Sequence, residues 1–171
     1  AGVYVNRGEV YLNIKQPERA LEQYDAILNN GITSKDKQFY IWGMVGQGKA
    51  YALKKDYEKA VDFYRKALLV CRDINAFGDE VNIDGELAHT YMEAGDIGKA
   101  LNYADSALSL AETQHYINQL AKCNTILGNI YTRQGKYDLA ESYLNKALDI
   151  AKQTKNLEDQ RDAQGSLTIV Y

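Results

Sequence analysis

Proline is almost missing from this chain: Pro17 stands alone among 171 residues, and glycine contributes only 13. A fold of many short strands needs turn residues every few positions, so this scarcity excludes most all-β architectures. Cysteine is equally sparse. Cys71 and Cys123 are too few for a disulfide scaffold, and both read as buried thiols. Basic charge is not in excess either, with 20 Lys and Arg against 23 Asp and Glu and a net charge of −3. A nucleic-acid binder would carry a basic face, so no nucleic-acid partner is expected. Apolar runs such as 67–71 fall far short of the roughly 20 residues that cross a bilayer. Membrane insertion of this segment is therefore not expected, and no charged-then-apolar leader opens the chain. Hydrophobic residues nevertheless make up 46% of the sequence, enough to fill a core. The chain reads as nearly all helix.

What it has in abundance is repetition. Tyr11, Tyr51, Tyr91, Tyr131 and Tyr171 stand forty residues apart, as do Ala20, Ala60, Ala100 and Ala140, and Leu28, Leu68, Leu108 and Leu148. Three residues before each tyrosine is a small residue, Gly8, Gly48, Ala88 and Gly128, drifting to Thr168 in the last copy. Such a period marks a stacked-repeat architecture. The repeats divide as 1–33, 34–74, 75–114, 115–154 and a partial 155–171, one array over the whole chain. Each repeat reads as two helices joined by a short breaker: Lys15-Gln16-Pro17, Lys55-Asp56, Gly95-Asp96 or Gly135-Lys136. First helices are expected at 1–14, 34–54, 79–94, 117–134 and 157–171, and second helices at 18–30, 57–74, 97–113 and 137–154. Thr33 followed by Asp36 fits a capping box at the start of a helix.

Close packing explains the columns. Gly8, Gly48, Ala88 and Gly128 let a partner helix approach, and the alanines at 20, 60, 100 and 140 supply the facing half. The tyrosine column, with Tyr24, Tyr64, Tyr103 and Tyr143 on the second helices, then fills the wider gaps. One helix pair cannot bury both faces, so neighbours stack.

Small residue, Tyr three on, Ala nine after that, then an aromatic and a small residue resembles the tetratricopeptide repeat. Gly48, Tyr51, Ala60, Tyr64 and Ala67 carry the match in the second repeat; Leu127, Gly128, Tyr131, Ala140 and Ala147 carry it in the fourth, with Leu144 at the aromatic position. Ala88 and Ala104 depart from it in the third repeat, Arg7 and Ile27 in the first. The family's first-helix Trp and terminal Pro are absent from every repeat, and the period is forty rather than about 34. The resemblance implies an all-α fold, a right-handed α-α superhelix of four helix pairs and one further helix. Repeats lengthened in this way look like those of the input regions of bacterial sensor kinases and regulators, and of spindle-orientation adaptors.

Catalytic chemistry finds little to use. His89 paired with Cys123 would be the one candidate nucleophile set, and a bystander thiol beside a polar histidine is the plainer reading. His115 sits at a helix junction. Gly43, Gly46 and Gly48 lie inside a helical pattern with no strand before them, so they do not form a phosphate loop. Asp79, Glu80, Asp84, Glu86 and Glu93 crowd one helix, but hard cations gather ligands from loops and carbonyls. A solvated or partner-facing acidic stripe is the better account. No catalytic residue, metal or cofactor is expected, and the chain is not read as an enzyme.

The family resemblance implies that the side of each first helix opposite the packing columns lines a concave groove. That side carries Asn6, Glu9 and Asn13; Trp42 and Lys49, with Gly46 leaving space beside the tryptophan; Asn82, Glu86, His89 and Glu93; and Lys122, Asn129 and Arg133. Trp42 could face either the groove or the core. Val5, Glu9 and Gly46 break the Lys/Arg and Asn pattern of chaperone-tail clamps, which disfavours a chaperone co-factor. The expected function is a protein-interaction scaffold that binds a peptide or helix of mixed charge, within a larger signalling or regulatory protein. The alternatives are the targeting arm of an enzyme and an array hosting a cryptic catalytic site. The cytoplasm is the expected compartment, or the periplasm if a membrane sensor carries the array. Leu167, Val170 and Tyr171 should form an apolar strip that awaits a further helix or end-to-end self-association.

Overall fold

The computed structural model describes residues 2–29 and 37–170. Among them are nine helices: α1 (Gly2–Asn13), α2 (Pro17–Asn29), α3 (Lys37–Leu53), α4 (Tyr57–Asp73), α5 (Phe77–Glu93), α6 (Ile97–Thr113), α7 (Ile117–Arg133), α8 (Tyr137–Gln153) and α9 (Leu157–Val170). The helices fall where the repeat places them. α5 begins at Phe77, two residues earlier than expected, because Gly78 is absorbed into its first turn. The Thr33–Asp36 capping box and Tyr171 lie outside the described residues.

The forty-residue period resolves into two twenties. Helices α3 to α8 are each 17 residues long, and the described turns between helices share one geometry. Lys15, Lys55, Asn75, Gly95, His115, Gly135 and Lys155 all have φ between 55° and 87°. In each turn that follows a tyrosine-bearing helix, the third residue past the helix returns its N–H to the tyrosine carbonyl, as Asp56 to Tyr51 (3.0 Å), Asp96 to Tyr91 (2.9 Å) and Lys136 to Tyr131 (3.0 Å). This is a left-handed helix stop that satisfies carbonyls otherwise orphaned. Asp56 and Asp96 also cap the helices that follow, their carboxylates accepting from the Lys59 and Lys99 backbone N–H at 3.4 and 3.0 Å. Hydrogen bonds from the Lys59 and Lys99 side chains hold both carboxyls below the usual range.

The tyrosine column sits at these turns. Tyr51 stacks on Phe63, Tyr91 on Tyr103 and Tyr131 on Tyr143, with ring centroids 5.4 to 5.6 Å apart. A cation covers each described ring of the column: Arg19 over Tyr11, Lys59 over Tyr51, Lys99 over Tyr91 and Lys136 over Tyr131. The second-helix tyrosines therefore belong to two columns, not one. Tyr103 and Tyr143 are half-buried stacking partners, whereas Tyr24 and Tyr64, one place further along, are fully buried.

The described residues form two compact bodies, 1–76 and 77–171. In the first body α1 packs on α2, α2 on α3 and α3 on α4, and α1 also touches α3. The second body repeats this scheme, with α5 touching α7 and α7 touching α9. Among the described residues, α2 makes no such contact with α4, nor α6 with α8. Within each body the first helices thus form the inner row and the second helices the outer one. Ala20, Ala60, Ala100 and Ala140 are fully buried, where a larger side chain would hold the helices apart.

The strip expected on α9 is described in part, since Tyr171 lies outside the described residues. Leu167 and Val170 are half-buried, and they correspond in register to Gln47 and Ala50, which face the preceding second helix through Asp25 and through Tyr24 and Ile27. Arg161, Gln164 and Thr168 are exposed instead.

Two stability changes follow from this arrangement. Ala100→Glu should cost about 3 kcal/mol or more in urea unfolding, because it forces volume and an unpaired charge into a closed contact. Asn102→Glu on the exposed side of α6 should cost less than about 0.5 kcal/mol, and equal losses in the two variants would refute the register. Lys55→Gly should raise stability by about 1 kcal/mol by relieving a left-handed backbone that side chains resist; a lower melting temperature would contradict the turn geometry.

Candidate peptide-binding face

In the first body the inner row is α1 and α3. Asn6 and Asn13 are exposed and Glu9 is half-buried. Trp42 is 39% exposed and sets its ring edge-on to Phe39, with centroids 5.4 Å apart. The tryptophan is thus a surface residue braced by a neighbour on its own helix. Glu9 pairs with Lys49 at 3.5 Å and also accepts the Tyr24 hydroxyl at 3.3 Å.

Tyr24 is the residue that sequence reading placed incompletely. Its ring, from α2, is wedged between Gly8 of α1 and Gly46 of α3, and a Cβ on either glycine would overlap it. Gly46 therefore does not leave space beside Trp42 for a ligand; the ring occupies it. The hydroxyl passes through to the inner row at Glu9. Burial, with Glu9 beside it, pushes that hydroxyl well above the usual tyrosine range. The signal was present in the sequence as Gly46, a second small residue facing the same ring as Gly8.

In the second body the inner row is α5, α7 and α9. Asn82, His89, Glu93, Lys122 and Arg133 are exposed, and Glu86 and Asn129 are half-buried. Arg133 forms an ion pair with Glu93 and donates to the Met92 carbonyl at 3.3 Å. This pair joins residues forty apart on neighbouring first helices, as Glu9 and Lys49 do in the first body. Ile126, also on this side, turns to its neighbour instead, and a Cβ on Gly85 would lie 3.1 Å from its Cδ1.

The acidic crowd on α5 divides. Asp84 is buried and accepts the Ser106 hydroxyl at 2.7 Å; Asp79, Glu80 and Glu86 are half-buried, and Glu93 belongs to the pair just described. Among the described residues no group of three or more His, Cys, Asp or Glu could hold a metal ion. Cys123 and His89 stand in opposite surroundings. The thiol is packed among Val81, Ala107 and Ala111, and burial, reinforced by the Asp84 charge, pushes it up to about 12. A thiol held protonated at neutral pH is no nucleophile, and His89 is in solvent. No helix among the described residues is long and apolar enough to cross a membrane.

The family model described as tetratricopeptide repeat matches residues 1–73 and again 79–153. The chain belongs to the tetratricopeptide repeat family. Its all-α fold is that of the family's solenoids, with α3 to α8 each 17 residues long. Over 107 residues, 61% of this chain, it is 31% identical to the transcriptional activator NprA of Geobacillus stearothermophilus, of which it spans 26%. Among solved structures, a STAND-type signal-transduction ATPase with a tetratricopeptide repeat sensor from Pyrococcus horikoshii aligns with a TM-score of 0.79 at 18% identity, over 99% of this chain and 26% of that one. A Rap protein complexed with Competence and Sporulation Factor aligns with a TM-score of 0.83 at 19% identity, over 95% of this chain and 48% of that one. The chain thus spans about half or less of the length of each of these three proteins.

The Tyr24 wedge is open to a direct check. Gly46→Ala should lose about 1–3 kcal/mol, because the added methyl meets a buried ring that cannot retreat. Gly165→Ala on α9, where a Cβ meets nothing within 4 Å, should gain up to about 1 kcal/mol from helix propensity. A Gly46→Ala protein that melts with the parent would remove Tyr24 from between α1 and α3.

Proposed function

We propose that the inner row of first helices binds a segment of another protein, a peptide or a helix, and that the chain works as an interaction scaffold rather than as an enzyme. One observation carries this reading. The inner row bears polar and aromatic side chains at matching positions of successive helices, and pairs forty residues apart, Glu9 with Lys49 and Glu93 with Arg133, hold some of them in place. Such pre-positioned groups lower the entropy cost of binding. In the first body Trp42, Asn6, Asn13, Glu9 and Lys49 would meet the ligand. In the second, Asn82, Glu86, His89, Glu93, Lys122, Asn129 and Arg133 would. Asparagines suit the backbone of an extended chain, and the mixture of carboxylates and cations calls for a ligand with charges of both signs.

The repeat phase runs without interruption from Tyr11 to Tyr131, which supports treating residues 1–171 as a single array. The likeness to a transcriptional activator, to a sensor-bearing signalling ATPase and to a Rap protein complexed with a factor supports a place in a signalling or regulatory protein.

Pull-down with the chain, followed by peptide mapping, supplies the ligand. Lys122→Glu should then weaken its binding about tenfold in calorimetry while the melting temperature stays within a degree or two. Lys49→Gln reports in the same way on the first body. Unaltered affinity in both variants would move the binding surface off the inner row.

A further inference from the structure

The two first helices of the first body share a spacing that the packing columns do not need. On α1, Gly2, Val5, Glu9 and Leu12 stand three, four and three residues apart, and on α3 Trp42, Val45, Lys49 and Ala52 repeat the steps. That is the spacing of a coiled-coil seam, and both seams lie on the inner row. α1 touches α3, and the Glu9–Lys49 pair joins them at equal positions. The seams therefore run side by side, with one ion pair in the middle and apolar residues toward both ends. The stacking of repeats does not demand this character. On α5 the same positions carry Asn82, Gly85, His89 and Met92, and on α7 Lys122, Thr125, Asn129 and Thr132. Met92, the one large apolar residue among them, is buried. In the first body, by contrast, Trp42 is held at 39% exposure, and Val5, Leu12, Val45 and Ala52 are half-buried. Gly2, at the position equal to Trp42, is a place where a Cβ would meet nothing within 4 Å.

We propose that this double seam docks one amphipathic helix of a partner protein, with apolar residues at the same three-four spacing and a single Gln or Asn in the middle. The inference rests on the reading of the inner row as the binding face, and it says which ligand the first body takes. Two parallel seams form the groove that a third helix fills, and a lone polar layer inside such a seam fixes its register. Here that layer is Glu9 with Lys49. The Tyr24 hydroxyl and the Lys49 ammonium both meet Glu9 Oε1, which leaves Oε2 for a donor of the ligand. An amide serves it without setting a further net charge against a pair that already balances. A large apolar side chain of the ligand fits over Gly2 against the Trp42 ring, the kind of aromatic anchor that carries binding energy.

The probe is a synthetic helix of about three heptads, with Leu at the seam positions, Gln in the middle, Lys and Glu elsewhere and no aromatic residue, used below the concentration at which it self-associates. Trp42 is the only tryptophan, so its fluorescence reports the contact. Emission should shift to the blue and saturate with peptide, and a peptide of the same composition without the seam should leave it unchanged. Replacing the central Gln by Leu should weaken binding about tenfold, since Glu9 is then covered without a donor. Glu9→Leu with Lys49→Leu in the protein should reverse that preference. Val45→Asp should abolish the response while the circular dichroism of the chain is kept. No response to the seam-bearing peptide, or a response indifferent to its central residue, overturns the proposal. If the pull-down ligand still weakens on Lys49→Gln, the inner row stands as the binding face and only the helix is lost; a ligand indifferent to both Lys49→Gln and Lys122→Glu removes the two together. Emission that moves with protein concentration before any peptide is added makes a second copy the occupant and also overturns the proposal.

Discussion

Everything in this fold depends on how closely two helices approach where a small residue meets a ring or a branched side chain. Gly8 and Gly46 admit Tyr24, Gly48 admits Tyr64, and Gly128 admits Leu144. In the third repeat the two sides of the contact are Ala88 and Ala104, both fully buried. A glycine faces a large side chain, and an alanine faces an alanine. The summed volume across the contact is kept within bounds while its division between the helices varies, as a densely packed interior requires. Alanines 20, 60, 100 and 140 hold the same approach from the other helix.

The turns convert that local fit into a row. With a left-handed residue closing each described turn and helices of 17 residues between, side chains recur on the same face every forty residues. Exposed polar groups are then repeated in space as strictly as the core is. The ion pairs Glu9 with Lys49 and Glu93 with Arg133 follow directly, since charges at equal positions of touching first helices come within reach of each other. Exposed pairs of this type contribute little to stability. Their consequence is to fix the direction of side chains that a ligand would meet.

The helices and their pairing were legible in the sequence because tyrosine, alanine and small residues repeat in register and only one arrangement buries them all. The exposure of Asn6, Asn82, Lys122 and Arg133 was legible for the same reason. Gly46 was misread: a glycine facing outward from its own helix pair looks like open space until the preceding repeat inserts Tyr24 there. Tyr103 and Tyr143 were grouped with Tyr24 and Tyr64, although one residue of shift carries a ring from the core to the turn. Spacing alone shows that α9 has two apolar sides without saying which helix covers each.

The claim that the volume across each close contact is what is conserved can be measured in the fourth repeat. Gly128→Ala overfills the contact with Leu144, and Leu144→Ala leaves a cavity, so each alone should be destabilising. Together they recreate the Ala88 and Ala104 pairing of the third repeat. A double-mutant cycle in urea should therefore show the double variant more stable than the sum of the single losses predicts, by about 1–3 kcal/mol. Losses that simply add would mean that the two residues do not share a contact, and would contradict the account.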